Sequence, residues 1–280
     1  MTRAAAFACC LLMSWSLAQA VVPKNDFKPD KDIVYKQPEG KELALHVFLP
    51  EGWKPQDKRP AAVFFFGGGW VGGSARQFYP QCMALRARGM VAISADYRTQ
   101  GSHRTGPESC VEDGKSAVRW IRTHAAELGI DPNRLAVGGG SAGGHVAAAS
   151  TFCKGFDAAG ENASISTRAN ALLLFNPVLD NGPDGGWGHA KVKDFWQKIS
   201  PAHNVNAPVP PVLFMLGTKD NLIPVSTAER FKKTVETAGG RCELKLYENA
   251  THGFFNSAPH SDQTTADMIA FLTAIGWIQP

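Results

Sequence analysis

Cysteine is scarce and dispersed in this chain: six residues, with no CxxC pair and no grouping with histidine. That excludes the usual zinc and iron–sulfur arrangements, so no metal site and no cofactor is expected. An excess of one charge is also lacking. Lys and Arg outnumber Asp and Glu only 29 to 25 and neither form runs nor alternate with aromatics, which removes support for nucleic-acid binding. The one long apolar stretch, from Ala4 to about Leu17, is shorter than the roughly 20 residues that span a bilayer, and no second one follows, so stable membrane insertion is not expected. No internal repeat, low-complexity tract or linker marks a second domain.

What is present fits one large α/β domain, because 280 residues with 44% hydrophobic side chains can bury a sizeable core. A short basic start (Thr2, Arg3), the apolar stretch and Ala18-Gln19-Ala20 together predict a signal peptide over 1–20, cleaved after Ala20. Residues 21–280 are then a single catalytic domain of a secreted or periplasmic protein. Cys82, Cys110, Cys153 and Cys242 remain, an even set that allows three disulfide pairings or four buried thiols.

Short apolar runs alternate with amphipathic stretches, the pattern of strands and crossover helices in a mostly parallel sheet. Eight strands are expected, at Asp32–Tyr35, Leu43–Leu49, Ala61–Phe66, Val91–Ala95, Arg134–Val137, Ala171–Phe175, Val212–Leu216 and Cys242–Tyr247. The clearest helices are Ala75–Arg88, Glu108–Leu128, one starting at Ser141, Val225–Ala238 and about Asp262 to Ile275. Two long segments, Lys154–Arg168 and Asp180–Pro211, interrupt the rhythm where lids or substrate-binding loops are placed. A short helix is expected near Val192–Ile199.

The chemistry centres on Leu135-Ala-Val-Gly-Gly-Gly-Ser141-Ala-Gly-Gly-His145: a buried strand, a glycine-rich turn, then an Ala-rich helix. Gly139, Ser141 and Gly143 form Gly-x-Ser-x-Gly, in which glycines permit the sharp turn that lifts a serine hydroxyl to the sheet edge. A serine hydroxyl is a weak nucleophile without a base, and the base needs an acid to orient it. Asp220 follows the seventh strand and His252 the eighth, so both stand in loops at strand ends, in the order Ser, Asp, His. Asp180 and Asp184 are rival acids in a nearby loop. Acyl transfer also needs donors for an oxyanion; the glycine run Gly67-Gly68-Gly69-Trp70 after the third strand and the amide of Ala142 are the candidates.

On these motifs, with Asp96-Tyr97-Arg98 as a weaker fourth, the chain resembles the α/β-hydrolase superfamily, within it the hormone-sensitive-lipase-like carboxylesterases and capless acetyl esterases. The resemblance implies an α/β-hydrolase fold with helices on both faces of the sheet and little or no cap. It implies Ser141, Asp220 and His252 as a triad, with the amides of Gly68, Gly69 and Ala142 as the oxyanion hole. That family usually carries histidine before the three glycines. Phe66 stands there instead, so the loop must be braced by apolar packing or another donor. The implied activity is hydrolysis of short acyl, chiefly acetyl, esters, with acetyl or feruloyl groups on plant polysaccharide as a carrier that suits an open site. Trp70, Trp187 and Trp196 are candidates for stacking on a sugar or aromatic group. The alternatives are a serine peptidase of the prolyl-oligopeptidase type and a non-catalytic binding module on the same fold.

Overall fold

A computed structural model describes residues 27–279; the expected signal peptide lies outside the described residues. All eight expected strands form one sheet: β1 (Lys31–Lys36), β2 (Leu43–Phe48), β3 (Arg59–Phe65), β4 (Val91–Ala95), β5 (Ile130–Gly140), β6 (Ala171–Phe175), β7 (Val212–Gly217) and β8 (Cys242–Tyr247). Their order across the sheet is β1-β2-β4-β3-β5-β6-β7-β8. The β1–β2 and β2–β4 pairs are antiparallel and all others parallel. The parallel strands are covered on both faces, which is why β4, β6 and β7 are apolar almost throughout and wholly buried.

The helices are α1 (Tyr79–Arg86), α2 (Gln100–His103), α3 (Pro107–Thr123), α4 (Ala142–Phe152), α5 (His189–Val192), α6 (Trp196–Ile199), α7 (Val225–Thr237) and α8 (His260–Ala274). On one face α1 packs with α8; on the other α3 packs with α4, and α7 joins them through a Phe152–Phe231 edge contact. Among the described residues no helix precedes β1.

Several element boundaries differ from the sequence pattern. Pro80, lacking an N–H, starts α1, so the expected Ala75–Arg88 helix is a tight 3-10 turn at Ala75–Phe78 followed by α1. The expected Glu108–Leu128 helix stops at Thr123, because the His124 ring turns back onto Trp120, with centroids 3.9 Å apart, and its Nδ1 donates to the Trp120 carbonyl. Short helices stand at His189–Val192 and Trp196–Ile199 in place of one near Val192–Ile199. Segment 154–168 is not at a lid position. Lys115, Arg119 and Arg122 of α3 hold it through the Gly155 carbonyl, Asp157, and the Ser166 and Arg168 carbonyls, beside the start of β5 and away from the strand ends that carry the serine. Cys82, Cys110, Cys153 and Cys242 are all buried free thiols.

Candidate active site

The serine stands where β5 runs out and α4 begins. Ser141 has φ 52° and ψ −119°, a conformation that costs energy in an L-residue and is held by its surroundings. Its N–H donates to the Phe175 carbonyl, and its own carbonyl accepts from His145 and Val178. Glycine is required on both sides for want of room. A Cβ on Gly143 would collide with the Phe65 and Phe66 carbonyl oxygens, and one on Gly139 would lie 2.6 Å from the Phe65 carbonyl oxygen.

The loops after β7 and β8 bring the other two groups to the serine. His252 Nε2 is 2.8 Å from Ser141 Oγ, and His252 Nδ1 is 2.8 Å from Asp220 Oδ2. The Asp220 carboxylate is fully buried, and its other oxygen accepts from the Leu222 and Ile223 amides at 2.8 and 2.9 Å. It therefore cannot turn away without breaking bonds it has no water to replace. The rival acids are placed elsewhere: Asp180 accepts from the Gly182 amide and faces Arg230, and Asp184 is exposed. An Nδ1–H donated to Asp220 leaves Nε2 as an acceptor for the serine proton.

The oxyanion-loop candidates flank this chain of bonds. Gly67 packs on the turn itself, so that a Cβ there would stand 3.3 Å from Ser141 Cβ. The Gly68 and Gly69 amides make no intramolecular hydrogen bond among the described residues, which leaves them open to a developing anion. Ala142, whose amide begins α4 directly after the serine, is buried. The brace at Phe66 is both apolar packing and donors. Its ring stacks on Tyr97 at 4.2 Å, Tyr97 OH donates to the Phe66 carbonyl at 2.6 Å, and the Gly67 N–H donates to Gln77 Oε1 at 2.6 Å. Tyr97 thus gives the Asp96-Tyr97-Arg98 motif a role at the site, while Arg98 turns to an ion-pair cluster with Glu112 and Asp113.

The tryptophans divide. Trp70 is 1% exposed, its ring packed edge-on against His145 and tilted against Trp187, so it is not a free stacking platform; Trp70 is part of the wall. Trp196 is committed to an edge contact with His203. Trp187 alone is half-buried beside the glycine loop, and it lines a shallow cleft with Asp180, Gly186, Leu222, Ile223 and Thr227. Sequence reasoning missed Asn176. Fully buried at the end of β6, it accepts from the Gly253 amide at 3.2 Å and brings Nδ2 to 3.4 Å from His252 Nε2. A lone asparagine directly after an apolar strand, beside the serine turn in the sheet, was the available signal. His145, on the helix that follows the serine, is fully buried and donates through Nε2 to the Ile199 carbonyl at 3.0 Å.

Among the described residues no group of His, Cys, Asp and Glu could hold a metal ion, and no helix is long and apolar enough to cross a membrane. A family model described as the alpha/beta hydrolase fold matches residues 62–256. Esterase LipC of Mycobacterium tuberculosis is 31% identical over 232 residues, 74% of this chain and 57% of that protein. The chain spans about half the length of the curated relatives it matches. Among solved structures, Thermogutta terrifontis esterase 2 phosphorylated by paraoxon is 41% identical with a TM-score of 0.86, covering 91% of this chain and 97% of that one. The propionate-bound form of the same esterase is 42% identical with a TM-score of 0.85, covering 89% and 96%.

Proposed function

The chain belongs to the α/β-hydrolase family, in its hormone-sensitive-lipase-like branch, and on that premise we propose that it is a serine carboxylesterase acting on short acyl esters. The observation that carries this is the unbroken line Asp220 Oδ2, His252, Ser141 Oγ, with 2.8 Å at each link, beside two unbonded glycine amides. Ser141 Oγ attacks the ester carbonyl carbon as His252 Nε2 takes its proton. The tetrahedral oxyanion accepts from the amides of Gly68, Gly69 and Ala142, while Asp220 stabilises the imidazolium. His252 then gives the proton to the departing alcohol. Water attacks the acyl-serine, again losing its proton to His252, and the carboxylic acid leaves as Ser141 recovers its hydrogen.

The test is turnover of p-nitrophenyl acetate by the wild type and Ser141→Ala. A loss of at least about a thousandfold in kcat is expected, since triad groups act as a unit; retained turnover sinks the assignment. Labelling of Ser141 by paraoxon is expected as well, in keeping with the phosphorylated esterase of Thermogutta terrifontis.

The preference for acetyl and similarly short acyl groups is supported by the Thermogutta esterase, whose solved forms hold propionate and butyrate. We read residues 21–280 as one catalytic domain behind a leader cleaved after Ala20, exported to act on acetyl or feruloyl groups of plant polysaccharide. Product analysis on acetylated and feruloylated xylan names acyl group and carrier together.

A further inference from the structure

The turn carrying Trp187, Gly188 and Lys191 rests on the oxyanion loop at three points. Lys191 Nζ donates to the Gly69 carbonyl at 3.0 Å and lies 6.0 Å from the Trp70 ring centre. Gly188 packs so closely that a Cβ there would stand 2.5 Å from Trp70 Cζ3. Trp187 Cη2 would stand 3.4 Å from a Cβ on Gly69.

The loop needs holding at this place. Gly68, Gly69 and Trp70 follow one another at φ 134°, 64° and 62°, and the last is a conformation that a bulky L-residue rarely adopts. Tyr97 and Gln77 fix the entry to the loop, at the Phe66 carbonyl and the Gly67 amide, and neither reaches Gly69. The Gln100 amide fixes its exit at the Trp70 carbonyl. Between them the Gly68 carbonyl accepts from the Val71 and Gly72 amides, and the Gly69 carbonyl, the next along, has Lys191 as its partner. Lys191 is exposed, and an exposed contact of a lysine contributes little to global stability. Its effect should therefore fall on the geometry of one peptide group, not on whether the chain folds.

We propose that Lys191 is a positioning residue for ester hydrolysis: by holding the Gly69 carbonyl outward, its ammonium fixes the Gly69–Trp70 peptide and so restrains the backbone torsions at Gly69, whose own amide, on the other side of the Cα, faces the oxyanion. The inference rests on the serine-esterase reading above. It adds segment 180–211 to the bracing that Tyr97 and Gln77 give the loop at Phe66 and Gly67, and it makes that segment part of the machinery that stabilises the transition state.

Lys191→Met removes the charge and keeps the length of the side chain; Lys191→Arg restores a donor. The readouts are kcat and KM on p-nitrophenyl acetate, the melting temperature, and inhibition by a trifluoromethyl ketone, which forms a tetrahedral oxyanion on an active serine. For Lys191→Met, kcat should fall about tenfold with KM within about twofold, because an interaction made mainly in the transition state is lost. Ketone affinity should fall in step, the melting temperature should stay, and Lys191→Arg should recover most of the rate. An active wild type beside a Lys191→Met protein with full kcat and full ketone affinity overturns this inference alone. A wild type that turns over no ester and binds no ketone overturns the esterase reading, and this inference with it.

Discussion

The serine turn at 139–144 and segment 179–203 face the same site and are held by opposite means. The turn is backbone against backbone: Gly139 and Gly143 press on the Phe65 and Phe66 carbonyls, and Gly144 meets Pro177, so no other residue fits. The segment is held by side chains. Ser200 Oγ accepts from the Asn181 amide, Asn181 Nδ2 donates to the Trp187 carbonyl, His189 donates to the Asn181 carbonyl, and Lys191 reaches across to Gly69. A contact built from main-chain atoms tolerates one residue type, whereas a contact built from side chains has many chemical solutions. The first should therefore break completely under a single methyl, and the second should loosen by degrees.

The sharpest way to break this contrast is Gly143→Ala. The new Cβ would lie inside the van der Waals shell of two carbonyl oxygens at the C-terminal end of β3, of which the Phe66 one is held by Tyr97 OH. Overpacking of this kind costs about 3 kcal/mol or more, and here it also displaces the Ser141 hydroxyl from His252. We expect loss of at least about a hundredfold in kcat/KM together with a lower melting temperature. A Gly143→Ala protein with wild-type rate and stability would show that the turn is not sterically fixed.

The next effect tests the seam between the two regions. His145 belongs to α4 yet donates to Ile199 of the segment, and burial pushes its imidazole down to about 4 despite the Ile199 carbonyl, which favours the proton. The unfolded chain binds that proton near pH 6.5 and the folded one does not until about 4, so stability is complete above 6.5 and is lost as pH falls through that window. The shift corresponds to about 3 kcal/mol. Denaturant unfolding from pH 8 to 4 should show this loss in the wild type and a flatter profile in His145→Gln. Amides of 187–203 should exchange with deuterium at lower cost in acid before those of 139–148 do. Parallel profiles would place the acid sensitivity elsewhere.

The same contrast explains what the sequence alone conveyed. The parallel strands β3 to β7 were legible because strands buried on both faces need apolar runs, and β1, β2 and β8 by shorter apolar stretches; the sharp turn at Ser141 was legible because only glycine fits around it. That Asp220 and His252 come within reach of Ser141 followed from their place after β7 and β8. The brace of the glycine loop was not legible. Tyr97 and Lys191 are distant from the loop in sequence, and these two and Gln77 are each of a type that also serves as an ordinary surface or core residue. Trp70 misled for a related reason: standing next to the glycines it read as a platform for ligands, while its positive φ turns it inward onto His145. Segment 154–168 misled because length alone does not say which end of the sheet a loop closes.

Trp187 gives the smallest expected effect and separates two roles of the segment. If it acts only as a weight on Gly69, Trp187→Ala should lower kcat for every acyl chain by the same factor. If it also limits the depth of the cleft it shares with Leu222 and Thr227, removing the ring should admit longer chains. One methylene in an apolar pocket is worth roughly 1 kcal/mol at the low end, so an opened cleft should raise the hexanoyl-to-acetyl ratio of kcat/KM by about fivefold. We expect that rise, superimposed on a fall of a few-fold in absolute rate from the loosened loop. An unchanged ratio would leave Trp187 as packing alone.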